Sequence, residues 1–97
     1  MIGEAIRLIR VYNDKKLTEV ARELSVSPGY LSEIENDKKR PTLEFIEKYA
    51  KYFEVRPSAI LFFDEELTKN PGTKSATKDF MRTKMLKFLQ VFEHARP

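Results

Sequence analysis

The chain of 97 residues contains no cysteine and no tryptophan, and it has only three glycines and one histidine. The lack of cysteine excludes disulfide bonds and thiolate metal sites, which suits a cytoplasmic protein. Residues 1–4 are not followed by the apolar core of a secretory signal, so we expect a cytoplasmic location. The longest uncharged apolar run, residues 59–63, is far too short to cross a bilayer, and we expect no membrane association.

Side chains that carry out catalysis are equally scarce. His94 is the only histidine and lies close to the C-terminus, so a histidine-based triad or metal cluster lacks partners. The acidic pairs at positions 33/35 and 65/66 do not have the spacing that puts two carboxylates on one helix face. No glycine-rich loop is present to hold a phosphate. We therefore expect neither enzyme activity nor a metal or cofactor.

The net charge of +3 is mild, and many small cytosolic proteins are equally basic. Bulk electrostatics therefore do not identify a nucleic-acid partner, and the positions of individual charges must decide. One run of cations stands out, because Lys38, Lys39 and Arg40 are adjacent in a polar segment that Pro41 closes. These cations either contact phosphate or belong to an ordinary solvated loop.

Helical spacing of apolar residues dominates the first 67 positions. It predicts five helices: about 2–12, 17–24 and 28–36, one that begins after Thr42, and a short one that begins at Pro57. Ser27 and Thr42 are good N-cap residues, and Pro28 is a favourable first helical residue. No two-residue alternation of useful length is present. The predicted fold class is therefore all-α, a compact five-helix domain of residues 1–67.

A hydrophilic linker, residues 68–76, is predicted to join this domain to a C-terminal amphipathic helix within residues 77–97. That helix is too short to form its own core, so its apolar stripe needs a partner surface. It can fold back on its own domain, pair with its copy in a homodimer, or bind a different protein or a membrane surface. We favour the homodimer, because methionine and phenylalanine suit an adaptable interface. The predicted dimer residues are Met81, Met85, Phe88, Leu89 and Phe92, with Phe62 and Phe63 extending the contact.

Residues 17–36 contain a helix-turn-helix pattern, with the small Ala21 where two helices cross and a capped second helix. Together with the segments "DKKRPT" and "LEFIEKYAKYFEV", this pattern resembles the Xre/Cro/phage-repressor family of DNA-binding domains. The segments "MIG", "LTEVARELSVS" and "GYLSEIE" are similar to SinR-type regulators in particular. The resemblance covers about two-thirds of the chain, roughly residues 1–67.

The resemblance implies that the third helix enters the major groove of double-stranded DNA. Pro28 and Gly29 have little side chain to obstruct a close approach. Glu33 can accept a hydrogen bond from cytosine N4 or adenine N6, or it can instead pair with an exposed cation such as Arg22 or Lys38. The base-facing positions that the resemblance implies are Ser27, Pro28, Gly29, Ser32 and Glu33, with Tyr30 beside the backbone or a thymine methyl.

The phosphate contacts are expected from cations outside that helix. Beside a helix-turn-helix, phosphate contact becomes the favoured interpretation of the run from Lys38 to Arg40. Lys16 and Thr18, at the start of the second helix, are weaker candidates. Two positions depart from the family pattern: Leu17 replaces a common glutamine, and Ser25 stands where glycine is frequent. A positive φ at Ser25 would cost on the order of 1 kcal/mol.

The predicted function is a sequence-specific transcription regulator, most simply a repressor, that binds an inverted-repeat operator as a homodimer. The competing hypothesis is a protein-interaction module, for instance an antitoxin or adaptor, whose C-terminal helix binds another protein.

Overall fold

The computed structural model describes residues 2–69. Within that range the chain forms five helices and no strand, which confirms the predicted all-α class. The helices are α1 (Ile2–Tyr12), α2 (Leu17–Glu23), α3 (Pro28–Glu35), α4 (Leu43–Tyr52) and α5 (Pro57–Lys69). The predicted helix within residues 77–97, and the predicted linker from residue 70 onward, lie outside the described residues.

Helix α5 is longer than the sequence pattern predicts. It spans 13 residues and continues through Thr68 and Lys69, which the prediction assigned to the linker. The Thr68 hydroxyl donates a hydrogen bond to the backbone oxygen of Asp64 at 2.9 Å. The Lys69 ammonium lies 3.5 Å from a carboxylate oxygen of Glu65, one turn earlier. Local polar contacts of this kind stabilise a helix end without any apolar periodicity, so the pattern of apolar residues did not reveal it.

The helix starts follow the predicted caps. Oγ of Ser27 accepts the backbone N–H of Tyr30 at 3.0 Å, and Oγ1 of Thr42 accepts that of Phe45 at 3.0 Å. Pro28 is the first residue of α3, where its missing N–H is not needed. These caps fix the starts of α3 and α4.

The first four helices end in the same way, without a glycine. The residue after each C-cap has a positive φ of 55° to 59°; these residues are Asp14, Ser25, Asp37 and Glu54. After α2, for example, the N–H of Val26 donates to the carbonyl of Ala21 at 2.9 Å, which closes a Schellman motif. The positive φ considered for Ser25 is therefore observed.

Helix α1 occupies the centre, where it packs against α3 and α5, while α2 packs against α3 and α4 against α5. The core draws on all five helices: Ala5, Ile6, Leu8, Ile9, Val20, Ala21, Leu24, Leu31, Ile34, Phe45, Ile46, Tyr49, Ala50, Ala59, Ile60 and Phe63. The hydroxyl of Tyr49 donates to the backbone oxygen of Ile6, which ties α4 to α1. Burial raises the pKa of the Tyr49 phenol well above its ordinary value, so the group stays a protonated donor.

Candidate DNA-binding surface

Helix α3 has one buried side and one open side. Leu31 and Ile34 are fully buried on the inner side. The outer side carries the residues predicted to face bases: Ser27, Pro28, Gly29 and Glu33 are exposed, and Ser32 and Tyr30 are half-buried. Within residues 2–69, Ser27, Pro28, Gly29 and Glu33 on this outer side are therefore open to solvent.

An ion pair between the partly buried Arg10 and the buried Glu35 attaches α3 to α1. Nε of Arg10 lies 2.7 Å from Oε2 of Glu35, and Nη2 of Arg10 lies 3.0 Å from Oε1, so the pair is bidentate. Glu35 is only 6% exposed. The same guanidinium donates through Nη1 to the backbone oxygen of Lys15 at 2.9 Å. Arg10 therefore also contacts the turn between α1 and α2. The side-chain hydrogen bonds with Glu35 raise the pKa of Arg10 above its ordinary value, so the guanidinium stays charged.

Gly3 forms a second junction between α1 and the end of α3. Its N–H donates to Oδ1 of Asp37 at 3.0 Å. A Cβ at position 3 would collide with the backbone oxygen of Ile34 and would come within 2.8 Å of that of Glu35. The absence of a side chain therefore allows α1 to approach the end of α3 closely.

These two junctions were not predicted from the sequence. In the sequence Glu35 stands out only as a member of an acidic pair, although it lies one turn after Leu31 on the apolar side of α3. Arg10 likewise lies one turn after Ile6. A buried charge needs a partner. The pair could therefore have been predicted from one feature of the sequence: each of the two helices has an ionisable residue at the spacing of its core residues.

The tip of α3 is narrow. A Cβ built on Gly29 would have no neighbour nearer than Oγ of Ser27, at 4.0 Å. Pro28, beside it, carries only its compact ring and is exposed. The leading end of the helix therefore offers little side chain to obstruct a surface that approaches it.

Glu33 makes no ion pair with any residue in the described range. The alternative in which Glu33 pairs with Arg22 or Lys38 is therefore not observed. Its carboxylate is exposed on the outer side of α3 and can accept hydrogen bonds from a ligand.

The cationic loop, defined as Lys38 to Arg40, follows α3 directly. Lys38, Lys39 and Arg40 are all exposed. The backbone N–H groups of Lys38 and Lys39 both donate to the carbonyl of Glu33, at 2.8 and 3.2 Å. The loop backbone is therefore hydrogen-bonded to the last turn of α3.

Lys16 and Thr18 are exposed at the start of α2. Lys16 is the N-cap residue, but a lysine side chain cannot accept an N–H, so the helix start has no side-chain cap. The carboxylate of Glu19 instead accepts the backbone N–H of Lys16 at 3.3 Å. The side chains of Lys16 and Thr18 thus face solvent near the first turn of α2.

The two phenylalanines predicted for a dimer contact lie in different environments. Phe63 is 3% exposed and belongs to the core of its own domain, so it offers no surface to a partner. Phe62 is 42% exposed on α5. The other predicted dimer residues, in the stripe from Met81 to Phe92, lie outside the described residues.

A helix-turn-helix family model matches residues 6–60, which is more than half of the chain. The chain belongs to the helix-turn-helix family. The predicted resemblance to Xre-type regulators is thereby confirmed. Among solved structures, this helix-turn-helix protein is similar to a chain of a SinR protein/SinI protein complex, with a TM-score of 0.61 and 26% sequence identity. The alignment covers 99% of this chain and 100% of that chain.

No curated protein matches the chain. Family membership and the structural likeness make this helix-turn-helix protein a DNA-binding transcription regulator. Among residues 2–69, no group of histidine, aspartate or glutamate side chains has an arrangement that could hold a metal ion. None of the helices in the same range has the length and apolar character needed to cross a bilayer.

Proposed function

We propose that this regulator is a repressor that binds an inverted-repeat operator as a homodimer, with α3 in the major groove. The observation that carries the proposal is the open outer side of α3, with a narrow tip at one end and three exposed cations directly after the other. A major groove admits an α-helix, and its walls are lined with phosphates. The narrow tip of α3 therefore suits the base edges inside the groove, and the cations after its other end suit the phosphates along the walls.

In this arrangement Pro28 and Gly29 let the helix tip approach the bases closely. The N–H of Gly29 belongs to the first helical turn, so it has no partner within the helix and is available to an acceptor on DNA. Ser27 still has a hydroxyl proton to donate while its oxygen caps Tyr30. At the leading end of the helix, short groups close to the backbone therefore contact the DNA in place of long side chains.

Glu33 supplies selectivity one turn later. A carboxylate accepts hydrogen bonds from cytosine N4 or adenine N6 and is repelled by phosphates and base acceptors. Its lack of an ion pair within residues 2–69 leaves it available for this contact. Glu33 therefore favours a base that presents an amino group in the groove.

The cationic loop contacts the phosphate backbone, and Lys16 and Thr18 contribute from the start of α2. Each phosphate that is neutralised releases counterions, so binding weakens steeply as salt is added. One recognition helix of eight residues reads few base pairs, which favours a homodimer on two half-sites. The pairing contacts come from Phe62 and from the stripe of Met81, Met85, Phe88, Leu89 and Phe92.

A second candidate function is a protein-interaction module whose C-terminal segment binds a different protein. The structural likeness to a chain of a SinR protein/SinI protein complex supports this candidate, because that structure contains two different proteins. The two functions are compatible, since a protein partner that competes for the C-terminal segment would remove the dimer and release the operator.

The proposal is tested by selection from a randomised duplex pool, followed by titration of the selected duplex at several salt concentrations. We expect enrichment of a two-fold-symmetric site. Neutralising the cationic loop (Lys38→Gln with Lys39→Gln and Arg40→Gln) removes three cations from each protomer of the dimer, so it should lower the magnitude of the salt slope by up to about 5. The matched control removes three exposed cations elsewhere (Lys48→Gln with Lys51→Gln and Lys69→Gln) and should change the slope little.

The Glu33→Gln variant should relax the base preference at one position of each half-site by about 1–3 kcal/mol. Glu47→Gln makes the same chemical change on the exposed surface of α4 and should leave the selected sequence unchanged. Salt-sensitive binding without enrichment of any sequence would contradict sequence-specific recognition and would favour the interaction module.

A further inference from the structure

One contact on the candidate DNA-binding surface joins the cationic loop to the side chains of α3. Nζ of Lys39 lies 5.4 Å from the centroid of the Tyr30 ring. A cation at this distance over an aromatic face is attracted by the electrons of the ring. Lys38 and Arg40, the two neighbours of Lys39, make no such ring contact within residues 2–69.

The Tyr30 ring is itself held in place by the core. It packs edge-to-face on Phe45, with ring centroids 5.9 Å apart and an angle of 77° between the planes. Phe45 is only 4% exposed and stacks on the buried Tyr49 at 5.7 Å. The ring on which the Lys39 ammonium rests is therefore anchored through α4 to the centre of the domain.

The backbone of Lys39 is fixed from the other side. Its N–H and that of Lys38 donate to the carbonyl of Glu33, which lies in the last turn of α3. Lys39 is thus held to α3 at two points. Its backbone N–H is bonded to Glu33, and its ammonium lies over the ring of Tyr30. Lys38 has only the backbone hydrogen bond, and neither Lys38 nor Arg40 has a ring contact within residues 2–69.

The geometry points to Tyr30 as a positioning residue that holds the Lys39 ammonium at the edge of α3, ready for a DNA phosphate. This inference rests on the proposed function. A free lysine loses side-chain freedom when it binds a phosphate, whereas a lysine already held on a ring loses less. An ammonium has three N–H donors, and contact with a ring on one side leaves donors for the phosphate.

Two consequences distinguish this role from a direct contact between Tyr30 and DNA. The aromatic ring is needed, but the hydroxyl is not. Lys39 also contributes more to affinity than Lys38 or Arg40, although the three charges are adjacent.

A double-mutant cycle on the full chain tests the inference, with the duplex that the wild-type protein selects as the probe. Tyr30→Leu and Lys39→Gln should each weaken binding, and the double variant should bind about as well as Lys39→Gln alone. The expected coupling is about two- to fivefold in Kd. The control cycle pairs Tyr30→Leu with Lys38→Gln, and there the two effects should multiply. Tyr30→Phe keeps the ring and should restore the affinity that Tyr30→Leu loses.

Three results would overturn the positioning role: equal losses for Tyr30→Phe and Tyr30→Leu, multiplicative effects in both cycles, or tighter binding by Tyr30→Leu. The first would show that the hydroxyl contacts DNA, and the third that the ring holds Lys39 away from the phosphate. If the wild type selects no duplex at all, the proposed function fails as well, so the two failures are distinguishable.

A second measurement does not depend on the folding of Tyr30→Leu. In NMR spectra of the wild type and of Tyr30→Phe, ring currents should move the ε-methylene protons of Lys39 upfield relative to those of Lys38. We expect this upfield shift to persist when the selected duplex is bound. Its absence in the free protein, or its loss on binding, would contradict the inference.

Discussion

At the scale of single residues, Gly3 and Gly29 lack a side chain for different structural reasons. Gly3 lies in the first turn of α1, where backbone oxygens of α3 leave no room for a Cβ. Gly29 lies in the first turn of α3, where a Cβ would meet open space. The first glycine is required by packing between helices, and the second affects only what approaches from outside.

The Gly3→Ala substitution should therefore lower the free energy of unfolding by about 1–3 kcal/mol, because the colliding atoms are backbone and cannot rotate away. Gly29→Ala is the matched control and should leave stability unchanged or raise it by up to about 1 kcal/mol, because alanine favours helix. Urea denaturation of the two variants measures both effects. Equal destabilisation by the two substitutions would contradict this account of Gly3.

At the scale of helices, the four C-terminal Schellman motifs each place an ordinary residue in the left-handed region. Such a conformation costs most L-residues on the order of 1 kcal/mol relative to glycine, which has no Cβ, and it costs aspartate less. The domain forms these ends because the hydrogen bonds that close each motif satisfy carbonyls that would otherwise lack partners. The sequence is thus locally strained where each of these helices stops.

Ser25→Gly should remove this strain between α2 and α3 and raise the free energy of unfolding by about 0.5–1 kcal/mol, after the greater freedom of glycine in the unfolded chain is allowed for. Asp37→Gly is an informative comparison, because it relieves the same strain but removes the acceptor of the Gly3 N–H. We expect it to give no net gain. Thermal unfolding of both variants provides the test, and a loss of stability in Ser25→Gly would show that its hydroxyl has a structural role.

The ion pair between Arg10 and Glu35 also acts at this scale, since it joins α1 to α3 over a separation of 25 positions. Its bidentate geometry restricts how α3 can turn relative to α1. The orientation of the outer face of α3 is therefore set by a contact inside the domain.

At the scale of the whole molecule, the five helices of residues 2–69 form a hydrophobic core of their own, so we expect a chain that ends at Lys69 to fold. If the C-terminal stripe forms the dimer, this shorter chain should be monomeric and should bind the selected duplex more weakly than the full chain. Light scattering gives its molar mass, and circular dichroism checks that the helices remain. A dimeric mass for the shorter chain would assign the contact to residues 2–69, with the exposed Phe62 as the first candidate.

The local sequence was sufficient to predict the starts of α1, α2, α3, α4 and α5. A cap and the N–H that it accepts lie three positions apart, as with Ser27 and Tyr30, so the interaction exists as soon as one turn forms. Apolar spacing likewise identified Leu31 and Ile34 as inward residues of α3, because helix geometry alone decides which residues share a face. The open outer face of α3 followed from the same periodicity.

The amino-acid sequence by itself therefore determined where the helices start, the caps of α3 and α4, the helix-turn-helix pattern and the position of three cations after α3. Only the tertiary structure decided that Glu35 pairs with Arg10, that Gly3 must lack a side chain, and that Phe63 is buried while Phe62 is not. It also decided that the Lys39 ammonium rests on Tyr30. The physical reason is that these outcomes depend on side-chain packing and on helices separated along the chain, which periodicity within one helix does not specify.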